Sequence, residues 1–549
     1  MIEINNISVR YRSGGKLALS LLTLHIGKGE YVAVMGPNGS GKSTLIRVIC
    51  GLVGLEDGEV SLLGKSVRPG YFGDDFLGTV GAVFQEPEGQ FLMRDVKTEI
   101  ISVLQNLGLS REAQSERFKA IVEGFALSDI LNKKPENLSG GQMQIVNLAC
   151  ALSMQPEILI LDEPTTYLDQ YYQKTLLDHL DSLYKEGMTI LHVTQYAAEA
   201  ARAGRTCILE EGKLVLDSHS NRIFTDLDSM KRFDLTPPVE FGFKQVFGFN
   251  LDELDSANSF FEGLKPKEPG EITEGTVYIK HLILSSSNLG FGYPHNDFHI
   301  DVDNLEIYEG EVIGLIGATG SGKSTLAFLL AGMIEPGSGI IEYQGKPLSS
   351  FSAGELRKKI GISWQLSDLA MLGPTVQDDI EFILKNLSME KTDPAAILKK
   401  VSLNGFEDRI VDTLSGGEKR KLSLAGILAA DPELLILDEP TAFLDPYSQS
   451  ELAEIIQRLA GEGRSIIIAG HDLHFISKLA VKILGIKGGR IVSNLPAIEF
   501  FSDIRHSYAL DLPPDPMIAF RQTLAKRGYH LPFASLEPAL IKSYLDKVM

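Results

Sequence analysis

Cysteine is nearly missing from this chain, with three in 549 residues, Cys50, Cys150 and Cys207, and no C-x-x-C pair. Such spacing excludes a disulfide framework and the zinc or iron-sulfur sites that paired thiolates build, and leaves small buried hydrophobes. Long apolar runs are missing too. No stretch approaches the roughly 18 to 20 residues that span a bilayer, and the opening MIEINNISVRYR has no signal-peptide core. The expectation is a cytoplasmic protein, free to dock on a membrane partner. Positive charge is scarce: 52 Lys and Arg face 72 Asp and Glu, for a net charge of -20 and a pI near 5.1. That balance argues against broad nucleic-acid binding, which needs clustered cations along the phosphate backbone. What remains, 44% apolar and 23% charged residues with mean hydropathy near zero, describes a globular chain.

Length alone would suggest three or four domains at about 150 residues each, but internal repeats override that prior. GPNGSGKST begins at Gly36 and GATGSGKST at Gly317; LSGGQ begins at Leu138 and LSGGE at Leu414; ILILDEPTTYLD is answered by LLILDEPTAFLD. Lys323 follows Lys42 by 281 positions, and Asp438 follows Asp162 by 276. Motifs in the same order at nearly constant offset mean a duplicated domain. The first copy covers 1–235 and the second 284–500. Between them 236–283 reads as a linker with some packed aromatics and no sustained helical period, and 501–549 as a helical appendage after a Pro-rich turn. The aliphatic runs YVAVMG, EVIGLIG, EILILDEP and ELLILDEP fit strands buried on both faces of a parallel sheet, and the segments after each lysine and each LSGG read as helices. The fold class expected is therefore α/β.

G-x-x-x-x-G-K-S occurs twice, each time after a strand and before a helix. In the first copy Gly36, Pro37, Asn38, Gly39, Ser40 and Gly41 form the loop whose backbone N–H groups turn toward a phosphate chain; Gly317, Ala318, Thr319, Gly320, Ser321 and Gly322 form it in the second. Lys42 or Lys323 reaches the terminal phosphates, Ser43 or Ser324 offers a hydroxyl to Mg²⁺, and Thr44 or Thr325 completes the motif. At the end of a later strand Asp162 and Asp438 are placed to hold Mg²⁺ through water, and Glu163 and Glu439 to orient or deprotonate an attacking water. Ser139, Gly140, Gly141 and Gln142, with Ser415, Gly416, Gly417 and Glu418, set a hydroxyl and two glycines ahead of a helical period, a second anion site.

Together these motifs resemble the ABC ATPase superfamily, of P-loop NTPase fold, over both copies. The resemblance implies two tandem ATPase domains, each with a mostly parallel sheet and a helical signature subdomain, binding ATP with Mg²⁺. In that family the domains pair head to tail, so one site would join the first loop, Asp162, Glu163, Gln85 and Gln195 to Ser415–Gly417. The other would join the second loop, Asp438, Glu439, Gln365 and His471 to Ser139–Gly141. Gln85 and Gln365 match glutamines that sense the γ-phosphate and its metal. Tyr11 and Tyr293 match the aromatic stacked on adenine, with a strand-end core aromatic as the other reading. Asp169 and Asp445 match an aspartate used at the dimer interface.

One position breaks the duplication: Gln195 in TILHVTQYAAEAA stands where His471 stands in SIIIAGHDLHFIS. The family residue is usually a histidine that contacts the γ-phosphate. An amide still donates a hydrogen bond but carries no charge and exchanges no proton near neutral pH. His192, inside the apolar strand run, is no substitute. The loop AVFQEPEGQFLMRDVKTEIISVLQNLGLS, with Gln90, and the tail LDLPPDPMIAFRQTLAKRGYHLP resemble the energy-coupling factor, or cobalt-type, importers. That implies a T-type transmembrane scaffold subunit and a small S-type capture subunit for a vitamin or Ni/Co ion, with this chain peripheral on the cytoplasmic face of the membrane. The second copy departs from that loop in SWQLSDLAMLGPTVQDDIEF. A tandem sugar-importer ATPase and an ABC factor acting on ribosomes or nucleic acid stay open. Loss of one transition-state donor costs about 10²-fold to 10³-fold in rate, so His471→Ala is expected to abolish ATP turnover while Gln195→Ala spares most of it; equal losses in a steady-state assay would contradict unequal sites.

Overall fold

Each aliphatic run ahead of a phosphate loop or LDEP motif becomes a strand with no exposed position, as expected where helices cover both faces. The computed structural model describes residues 1–11, 15–70, 75–166, 168, 170–226, 230, 232–233, 235, 238–251, 281–293, 298–363, 371–389, 392–442, 444–512 and 515–548. They form two compact units, Met1–Phe241 and Gly242–Met549.

In the first unit β3 (Tyr31–Met35), β6 (Val80–Val83), β7 (Ile158–Asp162), β8 (Thr189–Val193), β9 (Arg205–Glu210) and β10 (Lys213–His219) make one sheet in the order β10-β9-β3-β8-β7-β6. All its pairs are parallel except β9 with β10. A second sheet, absent from the sequence-based expectation, is antiparallel: β1 (Ile2–Val9), β2 (Leu19–Ile26), β4 (Asp57–Leu62) and β5 (Lys65–Ser66), in the order β2-β1-β4-β5. Its signal was the alternation in LSLLTLHI, where Leu22, Leu24 and Ile26 are buried and the residues between them exposed.

The second unit repeats this plan. Its antiparallel sheet, β12-β11-β14-β15, comprises β11 (Leu282–Gly292), β12 (His299–Tyr308), β14 (Ser338–Tyr343) and β15 (Lys346–Pro347). The larger sheet runs β16-β17-β18-β13-β19-β20, from β13 (Val312–Ile316), β16 (Ile360–Ser363), β17 (Leu434–Asp438), β18 (Ser465–Gly470), β19 (Lys482–Lys487) and β20 (Arg490–Pro496). In both units a helical insert follows the edge strand, β6 or β16, and ends in the LSGG helix, Gly140–Ser153 or Gly416–Leu428. Val96, Ile100 and Leu104 of the first insert pack into one core with Ile145 and Leu148. Full burial of such a side chain contributes about 1.5–3 kcal/mol.

Of the expected linker, 252–280 lies outside the described residues, but Val239–Phe247 is a helix rather than a loop. Phe243 and Phe247, spaced i to i+4, set their rings 4.8 and 4.9 Å from Phe520, and that packing outweighs the weak local propensity. The appendage is larger than a short helix: Ile504–Ala509, Pro516–Lys526 and Pro538–Val548 are all helical. Arg521 sits inside it, 2% exposed, and donates to the carbonyls of Phe501, Ser535 and Phe533 at 3.1, 3.0 and 2.7 Å. Burial pulls its pKa down to about 10.

This module is fastened to the helix Leu473–Leu479, which follows His471 directly. His474 Nε2 lies 2.9 Å from Asp515 Oδ2, the Leu536 N–H donates to Ser477 Oγ at 3.2 Å, and Lys478 Nζ lies 2.6 Å from Glu537 Oε1. Burial would lower the His474 pKa, but Asp515 outweighs it and holds it above the ordinary 6.5; the same bond holds Asp515 below 3.8 against its own burial. A raised histidine stabilises fully below its unfolded pKa and less as pH climbs through the folded one. Limited proteolysis between residues 503 and 536 is therefore expected to speed up as pH rises from 6 to 8, and Asp515→Asn to flatten that dependence; a wild-type rate independent of pH would contradict the pair's role.

Candidate functional site

Both phosphate loops depend on glycine where a side chain would not fit. Gly36 and Gly41 have φ of +150° and +104°; a Cβ on Gly36 would collide with the Leu209 carbonyl oxygen, and one on Gly41 would lie 2.6 Å from that of Ala18. Gly317 meets the Ile486 carbonyl oxygen in the same way. Gly39 and Gly320 meet nothing within 4 Å, so the loop's tip faces open space, and Pro37, Asn38 and Thr319 are exposed there. The helices Lys42–Ile49 and Lys323–Leu330 start at the loops' ends, offering free N–H groups and a positive dipole end. Lys42 Nζ donates to the carbonyls of Gly36 and Pro37 at 2.8 and 3.1 Å, and Lys323 Nζ to those of Gly317 and Ala318 at 2.9 and 3.2 Å. Inside the loops Ser40 Oγ and Ser321 Oγ are buried without a hydrogen-bond partner. An unmatched buried hydroxyl costs about 1–3 kcal/mol, so it suits a site that awaits an anion.

The carboxylates meet these loops at the strand ends. Ser43 Oγ lies 3.4 Å from Asp162 Oδ1. Burial raises the Asp162 pKa, and raises that of Asp438 to about 6. Asp438 Oδ1 is buried and unpaired, and with the serine hydroxyls the donors are all hard oxygens, a set that fits a small divalent cation. Glu163 and Glu439 both sit at φ +46°, a left-handed conformation rare outside glycine. Each is pinned by its own N–H, to Val193 O at 2.9 Å and to Ala469 O at 2.8 Å. Strain of about 1–3 kcal/mol survives only where surrounding bonds fix it, typically at functional sites.

Here the units part. In the second, His471 Nδ1 lies 3.0 Å from Glu439 Oε2, and Lys323 Nζ 3.9 Å from Oε1. Burial pushes Glu439 up, but these cations outweigh it and hold the carboxyl below its ordinary value, and Glu439 in turn holds His471 above its own despite burial. In the first unit Glu163 accepts from Gln85 Nε2 at 3.2 Å and Thr166 Oγ1 at 3.3 Å, and burial carries its pKa to about 7 against the pull of Lys42. Gln195 is buried at the end of β8. His192 lies within that strand, fully buried.

Ser139 and Ser415 are the N-caps of the signature helices, each in a capping box. Gln142 and Glu418 close these boxes, so their polar ends serve the helix start, and Glu418 also takes an Arg409 Nη1 bond at 2.9 Å. Gly140, Gly141, Gly416 and Gly417 open the first turns. Tyr11 and Tyr293 are exposed, which rules out the core reading for both; the Tyr11 hydroxyl lies 3.2 Å from Thr44 Oγ1. Thr325 and Ser324 stand in the second loop's helix. Asp445 caps the helix Pro446–Gly461, while Gln365 and Asp169 lie outside the described residues. Arg420, buried on the signature helix, donates to the Glu439 carbonyl at 2.8 Å and was missed. Its only signal was a cation at an apolar helical position in LSGGEKRKLSL.

The family model described as ABC transporter matches residues 19–166 and 300–442. An ABC transporter ATP-binding protein, provisionally so named, of Caldanaerobacter subterraneus subsp. tengcongensis is 30% identical over 96% of each chain. A Bacillus subtilis protein provisionally named as an HMP/thiamine import ATP-binding protein is 30% identical over 88% of this chain and 89% of its own. The solved RNase-L Inhibitor superposes with a TM-score of 0.60 over 96% of this chain and 99% of that one, at 20% identity, which shows the shared fold. Among the described residues no helix is long and apolar enough to cross a membrane. Because a methyl group at Gly36 or Gly317 strikes a fixed carbonyl, Gly36→Ala and Gly317→Ala are each expected to remove one of two fluorescent-ATP sites in equilibrium titration, leaving the other; two sites of unchanged affinity would contradict this account of the loops.

Proposed function

The chain belongs to the ABC transporter family and is an ATPase, and from that premise we propose that it energises an energy-coupling-factor importer, peripheral on the cytoplasmic face of a membrane, with a T-type scaffold and an S-type capture subunit as partners. The observation that carries this is the loop after β6, which is built like a docking platform. Gln90 Oε1 accepts from the Phe84 N–H at 3.3 Å, and Gln90 Nε2 donates to the Phe84 carbonyl at 3.2 Å, clamping the loop beyond Gln85. Buried Glu99 then takes the N–H groups of Leu92 and Met93 at 3.0 and 2.7 Å, leaving the Leu92 side chain 82% exposed. Asp379 takes those of Leu372 and Gly373 at 2.6 and 2.9 Å and leaves Leu372 67% exposed. One exposed leucine means little; two at matching places on carboxylate-fixed loops support a protein contact. The B. subtilis relative's name, with its vitamin-type cargo, supports the importer class.

In this account the loops and lysines hold the ATP phosphates, and Tyr11 and Tyr293 stack on adenine. Ser43, Asp162 and Gln85, or Ser324, Asp438 and Gln365, hold Mg²⁺, which shields phosphate charge when bound. Glu163 or Glu439 accepts the proton of the attacking water. Gln195 or His471 donates to the γ-phosphate, and a signature segment, Ser139–Gly141 or Ser415–Gly417, comes from a partnering ATPase copy. The His471 imidazole, 3.0 Å from Glu439 and able to donate to the γ-phosphate, favours turnover at the second site; Gln195, an amide that carries no charge and exchanges no proton, favours slow hydrolysis at the first.

Affinity purification of the tagged chain from its own detergent-solubilised membranes is expected to recover one scaffold and one small multi-span protein. Leu92→Glu and Leu372→Glu are expected to cut that recovery about tenfold or more, as buried charge does at an interface core, with ATP binding retained. Recovery of ribosomes, or membrane partners indifferent to both substitutions, would overturn the docking role.

A further inference from the structure

Behind the first ATP site lies a buried polar cluster that the chemistry above does not use. Glu199, 1% exposed, stands in the short helix Ala197–Ala200 just after Gln195. Its Oε1 accepts from Thr165 Oγ1 at 2.6 Å and Gln173 Nε2 at 3.0 Å, and its Oε2 from Thr194 Oγ1 at 2.6 Å. His192 Nε2 lies 3.5 Å from that Oε2, while His192 Nδ1 is 3.0 Å from the Tyr31 hydroxyl. The Tyr196 N–H closes the arrangement on Thr194 Oγ1 at 3.0 Å. So one carboxylate ties Thr165, two residues beyond Glu163, to Thr194 and Tyr196, the residues on either side of Gln195.

The second unit keeps two of these positions, Thr441 for Thr165 and Gln449 for Gln173, but not the carboxylate on which they converge, and Gln449 Nε2 donates to the Leu444 carbonyl instead. Strand register sets His192 beside Ala33 and Ile468 beside Gly314, the matching strands of the two sheets. On that alignment Ile468 replaces His192, Gly470 replaces Thr194, Phe475 replaces Glu199 and Val312 replaces Tyr31. Phe475 and Ile468 are buried apolar side chains. The second unit has a direct contact instead, His471 Nδ1 lying 3.0 Å from Glu439 Oε2. Each copy thus joins its strand-end glutamate segment to its switch segment, one across the site and the other from behind it.

We propose that Glu199 is a positioning residue of the first ATP site, a rear lock that sets the Gln195 amide relative to Glu163 where the direct histidine bond is lost. This rests on Glu163 and Gln195 belonging to that site. A buried carboxylate surrounded by fixed donors holds backbone segments in register, and placement errors near 1 Å cost rates of about 10²-fold.

The test uses the full chain carrying Glu439→Gln, which silences the second site. In that background Glu199→Gln is expected to lower kcat for ATP about tenfold while KM stays within about twofold, the split of a group that acts on the transition state. Thr194→Val, a milder change, is expected to move kcat the same way. Adding Gln195→His, which restores a direct partner for Glu163, is expected to recover most of the loss. Unchanged kcat in both variants, kcat and KM worsening together, or no recovery with Gln195→His would overturn the rear lock. Glu163→Gln in the same background separates the two levels: turnover abolished shows the site is assigned correctly, while turnover retained overturns the site assignment and the rear lock with it.

Discussion

A carboxylate taken out of water needs a compensating charge or a set of donors, and each half of this molecule buries two of them side by side at the end of one strand. Asp162, Glu163 and Asp438 are each under a tenth exposed, and the Glu439 side chain is 13% exposed. Isolated burial of an ionised carboxylate is expensive enough that the group would otherwise neutralise. The lysines of the phosphate loops, the left-handed turn at each glutamate and the residue after the neighbouring strand all follow from placing that charge where a phosphate and a cation can meet it. Substrate binding is then partly the settling of an existing electrostatic debt, because groups held in place before the reaction need no reorganisation during it.

The two units meet this constraint differently. One surrounds Glu439 with Lys323 and His471 and keeps it ionised; the other gives Glu163 the neutral Gln85 and Thr166 and moves its fixed charge rearward to Glu199. Paired folds with unequal charge make unequal catalysts without any change of scaffold.

How legible was this in the sequence? The phosphate loops, the strand-end carboxylates and the signature caps were legible because each is a short local motif whose residues are fixed by backbone geometry; the structure sets Ser43 against Asp162, and sets Gln85, which only the family resemblance pointed to, against Glu163. The antiparallel sheets were not read, since alternation over a few residues in LSLLTLHI competes with the stronger continuous runs nearby. The helix at Val239–Phe247 was hidden because its stability comes from Phe520, nearly 280 residues away. Glu199 looked like an ordinary helix acid in YAAEAARAG; only packing shows that Thr165, Thr194 and Gln173 converge on it. Residues whose partners are distant leave little local trace.

Unequal sites are the central claim, and nucleotide trapping reads them without mutation. The full chain in its membrane complex would be incubated with photoreactive ATP and vanadate, irradiated and digested, and the labelled peptides assigned to the loop around Lys42 or the loop around Lys323. Vanadate-trapped diphosphate concentrated on the Lys323 peptide, with intact triphosphate on the Lys42 peptide, is the predicted result. Equal trapping of diphosphate on both would contradict it.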